Sequence, residues 1–323
     1  MRAVVVEQTG GPEAMQVQQI DAPEPGPGSL VVDVAAAGVN FIDVYQRTGI
    51  YPKERPFVVG SEGAGTVTAV GEDVTDFAVG DRVAWAMVDG AGYAAQVSVP
   101  ADQAVAVPDG VDLETAAAVM LQGMTAHYLC ESTHPARAGE TALVHAAAGG
   151  VGLLLTQMLA TKGVRVIATT STDEKAALAR GAGAEEVIRY TEADVVAEVR
   201  RLTDGRGVDV VYDGVGRSTF DAGLDCLVPR GIMVLYGASS GPVPPFDPQV
   251  LNRKGSLFLT RPTLGHYIAT REELVERAGS VLGEVAAGTL DVRIGGRYRL
   301  EEAGRAHEDL EGRRTTGKLL IVP

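Results

Sequence analysis

The stretch LVHAAAGGVGLLLTQMLA, residues 143–160, places a turn of small residues between a predicted strand and a predicted helix. Its spacing is Ala146-x-x-Gly149-x-x-Gly152. Small residues at these positions allow a tight turn, a close approach of the backbone to a pyrophosphate, and close packing of the helix on the strand. The free N–H groups at the start of the helix suit phosphate oxygens. By itself the motif also fits an ordinary strand-to-helix corner. The surrounding sequence is needed to distinguish such a corner from a phosphate-binding turn.

The sequence after this turn alternates between strand and helix patterns. The strand-like runs are VRVIATT, EEVIRY, GVDVVYDGVG and GIMVLYGAS, and the helix-like runs between them are TDEKAALARGAG, ADVVAEVRRLTDG and RSTFDAGLDCLVPRG. Alternation of this kind predicts βαβ units around a parallel sheet. It favours a dinucleotide-binding turn over a simple corner.

The two ends of the chain follow a different pattern. Before residue 113 the short runs LVVDVAAAGVN, AGTVTAVG, DRVAWAM and YAAQVSVP predict a β-rich domain. A helix follows in DLETAAAVMLQGMTAHYLCEST, with a cap near Asp112. After residue 264 the helix-like TREELVERAGSVLGEVAAG and the strand-like KLLIVP do not continue the alternation. We expect them to return to the first domain.

The composition narrows the class of protein. The chain has 323 residues, a formal net charge of −14 and only two cysteines. An acidic chain has no general attraction for nucleic acid or anionic membranes, so we expect neither as a partner. No apolar run approaches the roughly 20 residues of a membrane span. Two cysteines make no disulfide framework, and we expect a reducing, cytoplasmic location.

The end of the predicted strand VRVIATT indicates which nicotinamide cofactor is bound. Folds that bind NAD usually place Asp or Glu there to hold the ribose 2′-hydroxyl. This strand ends in Thr169, Thr170 and Ser171, and Lys175 lies one helical turn further on. The nearby acids Asp173 and Glu174 fit the first turn of a helix, with Ser171 and Glu174 at capping-box spacing. The pattern therefore favours the 2′-phosphate of NADPH.

Several motifs together resemble the zeta-crystallin-type quinone oxidoreductases of the medium-chain dehydrogenase/reductase superfamily. They are GVNFIDVYQRTGIYP, VVGSEGAGTVTAVGEDV, VGDRVA, HAAAGGVGLLLTQ, VVYDGVG, GASSG and GSLFLTRPTL. The resemblance implies an α/β protein with a GroES-like β-rich catalytic domain and a doubly wound Rossmann domain. It implies the catalytic domain at residues 1–123 and 262–323, the NADP-binding domain at 124–261, and the cofactor in the cleft between them. It also implies a homodimer or homotetramer.

The resemblance further implies a reaction without metal. Zinc-dependent relatives carry a Cys and a His at two places where this sequence has Asn40 and Ser61. The four-cysteine structural zinc lobe is also missing, and no pair of the five histidines has metal-ligand spacing. We therefore expect no metal site.

The resemblance also assigns candidate site residues. Asn40 and Thr125 are expected near the nicotinamide and its ribose, and Tyr45 and Tyr51 at the quinone pocket. Gln122 stands where relatives often carry Lys, and Arg313 matches the family near the cofactor better than Arg314. The remaining expected cofactor contacts form three sets. The pyrophosphate is expected at Ala148, Gly149, Gly150 and Val151, and the 2′-phosphate at Ser171, Lys175 and Tyr190. The strip along the cofactor is expected to be Gly214, Val215, Gly237, Ser239, Ser240, Phe258, Leu259 and Thr260.

The sequence leaves three functions open. The first is NADPH-dependent reduction of quinones by hydride or electron transfer, and the second is NADPH-dependent reduction of α,β-unsaturated carbonyls. Both need an electrophilic conjugated acceptor, and the motifs do not separate them. The third belongs to another class, an NADPH-bound binding or structural protein similar to a crystallin. Turnover of NADPH with a quinone separates the enzymes from the binder.

Overall fold

The computed structural model describes residues 1–323, which form two compact units. Unit 1 comprises Met1–Met124 and Tyr267–Pro323, and unit 2 comprises Thr125–His266. The strands, numbered along the chain, are β1 (Arg2–Val6), β2 (Met15–Gln19), β3 (Ser29–Val39), β4 (Phe57–Val58), β5 (Glu62–Val70), β6 (Arg82–Ala86), β7 (Gln96–Pro100), β8 (Ala104–Ala106), β9 (Thr141–Val144), β10 (Arg165–Thr170), β11 (Glu186–Arg189), β12 (Val208–Asp213), β13 (Leu227–Leu235), β14 (Phe258–Thr260), β15 (Ile294–Arg299) and β16 (Lys318–Val322).

The helices connect and flank these strands. They are α1 (Phe41–Thr48), α2 (Leu113–Tyr128), α3 (Gly150–Thr161), α4 (Asp173–Gly181), α5 (Val195–Leu202), α6 (Phe220–Cys226), α7 (Gln249–Arg253), α8 (Arg271–Ala286) and α9 (Ala303–Glu311). A π-helical turn, Leu129–Thr133, follows α2. None of these helices combines the length and apolar character that crossing a bilayer requires.

Unit 1 is built on a seven-stranded sheet. Its strand order is β15-β16-β3-β5-β6-β8, and β7 also pairs with β3. The core contains Trp85, Tyr93 and alternate residues of β3, as expected where one face of a strand is buried. The final strand β16 runs antiparallel to the end of β3, with Leu319 opposite Val39. This register brings residues from the end of the chain to the start of α1.

Unit 2 is an α/β domain with a six-stranded sheet in the order β11-β10-β9-β12-β13-β14. Every recorded pairing in this sheet is parallel. All four residues of β9 are buried, as expected for a parallel strand covered on both faces. Because parallel strands share one carboxyl edge, the loops after β9, β10, β12 and β13 meet there. The structure confirms the predicted fold class, a β-rich domain combined with a parallel-sheet domain.

Two local predictions from the sequence are wrong. The run RSTFDAGLDCLVPRG is helical only over α6, because Leu227 is already buried and pairs with Val208 as the first residue of β13. The cap of α4 is Thr172 and not Ser171. The Thr172 Oγ1 accepts a hydrogen bond from the Lys175 backbone N–H at 3.3 Å, since the helix begins one residue later than the capping-box spacing suggested.

Candidate active site

The small-residue turn after β9 forms a cradle at the start of α3. Ala146 has a φ of 51°, and its carbonyl oxygen accepts from the Gly149 backbone N–H at 2.9 Å. A Cβ on Gly152 would lie 2.4 Å from that same oxygen, so only glycine lets the helix approach the turn. The first turn of α3 carries no acidic residue. The N–H groups of the first helical turn and the positive helix end at this place fit a pyrophosphate.

A buried histidine lies directly behind the cradle. The Nδ1 of His145 is 3.0 Å from the Thr169 Oγ1, and its Nε2 is buried without a hydrogen-bond partner. Burial lowers the pKa of His145, while the nearby Asp213 carboxylate opposes this effect. His145 is therefore held neutral and ties the end of β9 to the end of β10.

Asp213 organises the neighbouring loop after β12. Its Oδ1 accepts hydrogen bonds from the backbone N–H groups of Val215 at 2.7 Å and Gly216 at 3.0 Å. The Thr219 hydroxyl donates to the same carboxylate at 2.8–2.9 Å. This carboxylate fixes the expected contact residues Gly214 and Val215. Asp213 is not among the site residues predicted from the sequence, although an acid that ends an apolar strand is a detectable signal.

The loops after β12 and β13 are joined to each other. The Ser239 backbone N–H donates to the Gly214 carbonyl at 3.2 Å, and the Ser240 hydroxyl donates to the Val215 carbonyl at 2.8 Å. A Cβ on Gly237 would lie 2.5 Å from the Gly214 oxygen. The expected strip residues of these two loops, which are Gly214, Val215, Gly237, Ser239 and Ser240, therefore pack against each other. The last three, Phe258, Leu259 and Thr260, form the edge strand β14, where Phe258 is exposed.

Of the three residues expected around the 2′-phosphate, Ser171 follows β10 and Tyr190 follows β11. The Tyr190 backbone N–H donates to the Thr170 carbonyl at 3.1 Å, and the Thr191 hydroxyl donates to the Ser171 carbonyl at 3.2 Å. These bonds hold the segments of Ser171 and Tyr190 side by side, while Lys175 lies in the first turn of α4. The nearby Asp173 forms an ion pair with Arg189 at 3.0 Å. The group therefore combines the hydroxyls of Ser171 and Tyr190 with the ammonium of Lys175.

Asn40 lies in unit 1, between β3 and α1, and is only 4% exposed. Its Oδ1 accepts hydrogen bonds from Lys318 Nζ at 2.8 Å and Gln122 Nε2 at 3.3 Å. Its Nδ2 donates to Glu62 Oε2 at 2.7 Å and to the Gly38 carbonyl at 3.3 Å. All four hydrogen-bonding positions of the amide are therefore occupied within unit 1.

Glu62 and Lys318 form a fully buried ion pair beside Asn40. The other oxygen of Glu62, Oε1, accepts from the Leu121 backbone N–H of α2 at 2.5 Å. Burial lowers the pKa of Lys318, and the Glu62 carboxylate opposes the shift. We call Asn40, Glu62, Gln122 and Lys318 the Asn40 cluster. Glu62 and Lys318 are not among the residues predicted from the sequence, although a charge beside an apolar run such as KLLIV indicates a buried partner.

A second buried chain of polar groups starts from Asp43. Asp43 Oδ2 accepts from the Asn40 backbone N–H at 2.8 Å and from the Tyr93 hydroxyl at 3.3 Å. His307 Nε2 is 3.0 Å from the Tyr93 oxygen, and its Nδ1 is 3.4 Å from Arg47 Nη1. Since Arg only donates, Nδ1 accepts and Nε2 carries the proton. Burial raises the pKa of Asp43 to about 7, whereas burial and Arg47 lower the pKa of His307 to about 3.

Aromatic side chains follow the Asn40 cluster along α1. The rings of Tyr45 and Tyr51 are 5.2 Å apart between centroids, and Phe41 lies 6.1 Å from Tyr45. The Tyr51 backbone N–H donates to the Tyr45 carbonyl at 3.0 Å, which fixes the loop after the helix. Tyr45 is buried and Tyr51 is 40% exposed. This pair can offer a flat apolar wall to an aromatic ligand.

The other candidates lie elsewhere along the chain. Thr125 is buried on α2, and Arg313 follows α9 with a φ of 55°. No group of three or more His, Cys, Asp or Glu side chains is placed to hold a metal ion.

The sequence matches two known domain families. Residues 26–109 match the alcohol dehydrogenase GroES-like domain, and residues 150–278 match the family described as zinc-binding dehydrogenase. The pair of domains defines the class as a medium-chain dehydrogenase/reductase. The quinone oxidoreductase of Pseudomonas aeruginosa is 47% identical over 315 residues, which cover 97% of each chain.

Two solved structures are also very similar. A mycobacterial protein complexed with NADPH is 50% identical with a TM-score of 0.97, and the Escherichia coli quinone oxidoreductase complexed with NADPH is 42% identical with a TM-score of 0.98. Each match covers 100% of both chains. The chain belongs to the quinone oxidoreductase family, which confirms the resemblance found in its sequence.

Proposed function

We propose that this chain is an enzyme that reduces quinones with NADPH and needs no metal. The observation that carries the proposal is the carboxyl edge of the unit 2 sheet. That edge combines a glycine-dependent cradle with the hydroxyls and the ammonium of the residues assigned to the 2′-phosphate. Two structural relatives of this chain were solved with NADPH.

NADPH supplies the hydride or electrons for the reduction when it is bound. In this proposal the backbone of Ala148, Gly149, Gly150 and Val151 holds the pyrophosphate, because the start of α3 offers N–H groups there. Ser171, Lys175 and Tyr190 hold the 2′-phosphate. The cofactor strip is then Gly214, Val215, Gly237, Ser239, Ser240, Phe258, Leu259 and Thr260, with Thr125 and Arg313 as further contacts.

Tyr45 and Tyr51 receive the acceptor in this proposal. A quinone is already electrophilic and becomes aromatic on reduction, so proximity and orientation supply most of what catalysis needs. The half-exposed Tyr51 ring, backed by Tyr45, provides the surface against which a flat acceptor stacks. Water or a side-chain hydroxyl can deliver the proton.

Asn40 acts mainly by holding its surroundings in place. Its backbone N–H bonds to Asp43 within the first turn of α1, and its amide is committed to the Asn40 cluster. The Asn40 Oδ1 already accepts a hydrogen bond from the Lys318 ammonium and is therefore not available as a metal ligand. This supports a reaction without a Lewis acid. A direct hydrogen bond from Asn40 to a ligand requires Gln122 or Gly38 to give up its own bond.

A panel of acceptors tests the proposal. NADPH oxidation is followed with 1,2-naphthoquinone, with a cyclic enone, with a simple ketone and with no acceptor. We expect the quinone to be reduced fastest, the ketone to be a poor substrate because nothing polarises it, and a metal chelator to leave the rate unchanged. Faster turnover of the enone identifies an enone reductase, and NADPH binding without turnover of any acceptor identifies a binding protein.

We further propose a homodimer or homotetramer located in the cytoplasm. The exposed Phe258 on the edge strand β14 supports association, since an unpaired strand edge with an apolar side chain favours pairing. Both cysteines are free and buried, which is consistent with a reducing compartment. Light scattering on the purified protein measures the mass of the assembly.

A further inference from the structure

Arg189 ends β11 and forms two ion pairs on the surface of unit 2. Its Nη1 lies 3.0 Å from the Asp173 Oδ1, and its other terminal nitrogen, Nη2, pairs with Glu192 Oε2. The side chains of Arg189 and Asp173 are 33% and 86% exposed. Ion pairs this exposed contribute little to folding stability, because water and salt screen them. Folding therefore gives little reason for one guanidinium to bridge these two carboxylates.

The bridge lies beside the residues assigned to the 2′-phosphate. Arg189 directly precedes Tyr190 in the chain. Asp173 is two positions away from both Ser171 and Lys175. Asp173 and Lys175 belong to the first turn of α4, where two positions correspond to about 5–6 Å between Cα atoms. Since charges in solution interact over a Debye length of about 8–10 Å, the charges of the bridge affect a phosphate held at this place without contacting it.

The balance of charge in this region depends on Arg189. Helix α4 begins with Asp173 and Glu174 before Lys175. A third acid, Glu192, lies three positions after Arg189. Without Arg189, three carboxylates would outnumber the ammonium of Lys175. The whole chain has a net charge of −14 and offers no compensating field, so a phosphate monoester, with a charge of about −1.5 to −2, would be repelled.

We propose that Arg189 is a positioning residue that selects NADPH, because it balances the Asp173 and Glu192 carboxylates beside the place of the 2′-phosphate. This inference rests on the proposed function for the place of the cofactor. Arg189 does not bind the phosphate itself, since its guanidinium is committed to the two carboxylates. It lowers the repulsion that NADPH meets there. NADH lacks the phosphate and is almost unaffected.

Arg189→Gln tests the selection at an exposed position, where the substitution should leave the fold intact. Calorimetry in about 0.1 M salt measures the dissociation constants of NADPH and NADH. We expect the constant for NADPH to rise by about three- to tenfold, as for the loss of exposed charge–charge interactions, and that for NADH to stay within about twofold. In about 1 M salt, where the Debye length is about 3 Å, wild type and Arg189→Gln should bind NADPH alike.

Two further variants act as controls for Arg189→Gln. Arg189→Lys keeps the charge and should bind NADPH within about twofold of wild type. Arg165 is the matched position, because it is 31% exposed and pairs with Glu185 at 2.8 Å at the other end of β10. Arg165→Gln should change neither constant. An equal loss of affinity for NADPH and NADH in Arg189→Gln would show a structural role and overturn the inference.

Removal of one carboxylate separates the balance of charge from direct contact. Arg189→Gln/Asp173→Asn restores the net charge of the region without a guanidinium. We expect the constant for NADPH to return to within about twofold of wild type. If this double variant binds NADPH as weakly as Arg189→Gln, the guanidinium contacts the phosphate directly and the inference is wrong.

The wild type separates this inference from the proposed function. A wild type that binds NADPH and NADH equally overturns both the proposed cofactor and the role of Arg189. A wild type that prefers NADPH, together with an Arg189→Gln variant whose constants stay within about twofold, overturns the role of Arg189 alone.

Discussion

Lys318 Nζ donates a hydrogen bond to Asn40 Oδ1 at 2.8 Å, although 278 residues separate the two along the chain. The contact exists because β16 lies antiparallel to the end of β3, which places Lys318 beside the residue that precedes α1. Both side chains are buried in unit 1. Strand β16 therefore fixes Asn40, the residue that directly precedes the first helix.

The cradle depends on the missing side chain of Gly152. Gly152→Ala forces a Cβ to within 2.4 Å of the Ala146 oxygen, so the turn or α3 must move. We expect a loss of about 1–3 kcal/mol in unfolding free energy, as for overpacking, and a clear loss of NADPH affinity. Gly181→Ala at the end of α4, where a Cβ meets nothing within 4 Å, is the control for denaturant unfolding and nucleotide titration. Unchanged NADPH affinity in Gly152→Ala would show that the cradle does not hold the cofactor.

The 2′-phosphate group should determine the choice of cofactor. Lys175→Glu replaces an ammonium in the first turn of α4 by a carboxylate, and charge-assisted hydrogen bonds contribute about 1.5–3 kcal/mol. We expect the Michaelis constant for NADPH to rise by roughly ten- to a hundredfold and that for NADH to change little. Lys162→Glu, at the opposite end of α3, should affect neither constant. An equal rise for both cofactors would argue against Lys175 as a 2′-phosphate contact.

His307 makes the protein sensitive to acid. Its pKa is lowered from 6.5 to about 3 in the folded state, so between these values the unfolded chain binds a proton that the folded chain does not. Stability therefore falls as pH drops through this window, by at most about 1.4 kcal/mol per pH unit from this group. His307→Gln can still accept from Arg47 and donate to Tyr93, and we expect its stability to change less between pH 6.5 and 3.

Asp43 changes the stability with pH in the opposite direction to His307, so the two contributions have to be measured separately. Its pKa is raised from 3.8 to about 7, so the folded state binds the extra proton and this contribution declines as pH rises through that range. The difference in slope between wild type and His307→Gln removes the Asp43 contribution, because Asp43 is present in both. Denaturant unfolding at several pH values measures it, with His266→Gln as an exposed control. Parallel curves for wild type and His307→Gln would refute the assignment.

Tyr51 should affect the acceptor and not the cofactor. Tyr51→Ala removes the exposed half of the aromatic pair, and we expect turnover of the quinone to fall by about ten- to a hundredfold while NADPH affinity stays constant. Asn40→Ala should lower turnover partially as well, and also stability, because Glu62 and Lys318 each lose a partner. Tyr51→Phe keeps the ring and should remain active. Loss of all quinone reduction in Tyr51→Phe would reveal an obligatory proton donor.

The sequence predicted those features that depend on neighbouring residues. The turn after β9 and the alternation of strands and helices follow from local spacing and periodicity, and the structure confirms both. The sequence points to Asn40 and Gln122, but the bonds of the Asn40 cluster could not be predicted, because they join residues 22, 82 and 278 positions apart. Strand register alone brings Lys318 to Asn40, and register is a property of the assembled sheet.

The decisive test of NADPH-dependent quinone reduction is the catalytic efficiency kcat/KM for 1,2-naphthoquinone. It is measured side by side with saturating NADPH and with the same concentration of NADH. We expect reduction well above the rate without enzyme, and we expect NADPH to be favoured by about tenfold or more. The reason is that NADPH carries the 2′-phosphate proposed to bind Ser171, Lys175 and Tyr190, and NADH lacks it. Reduction that is no faster than without enzyme, or that is equally efficient with both cofactors, would contradict it.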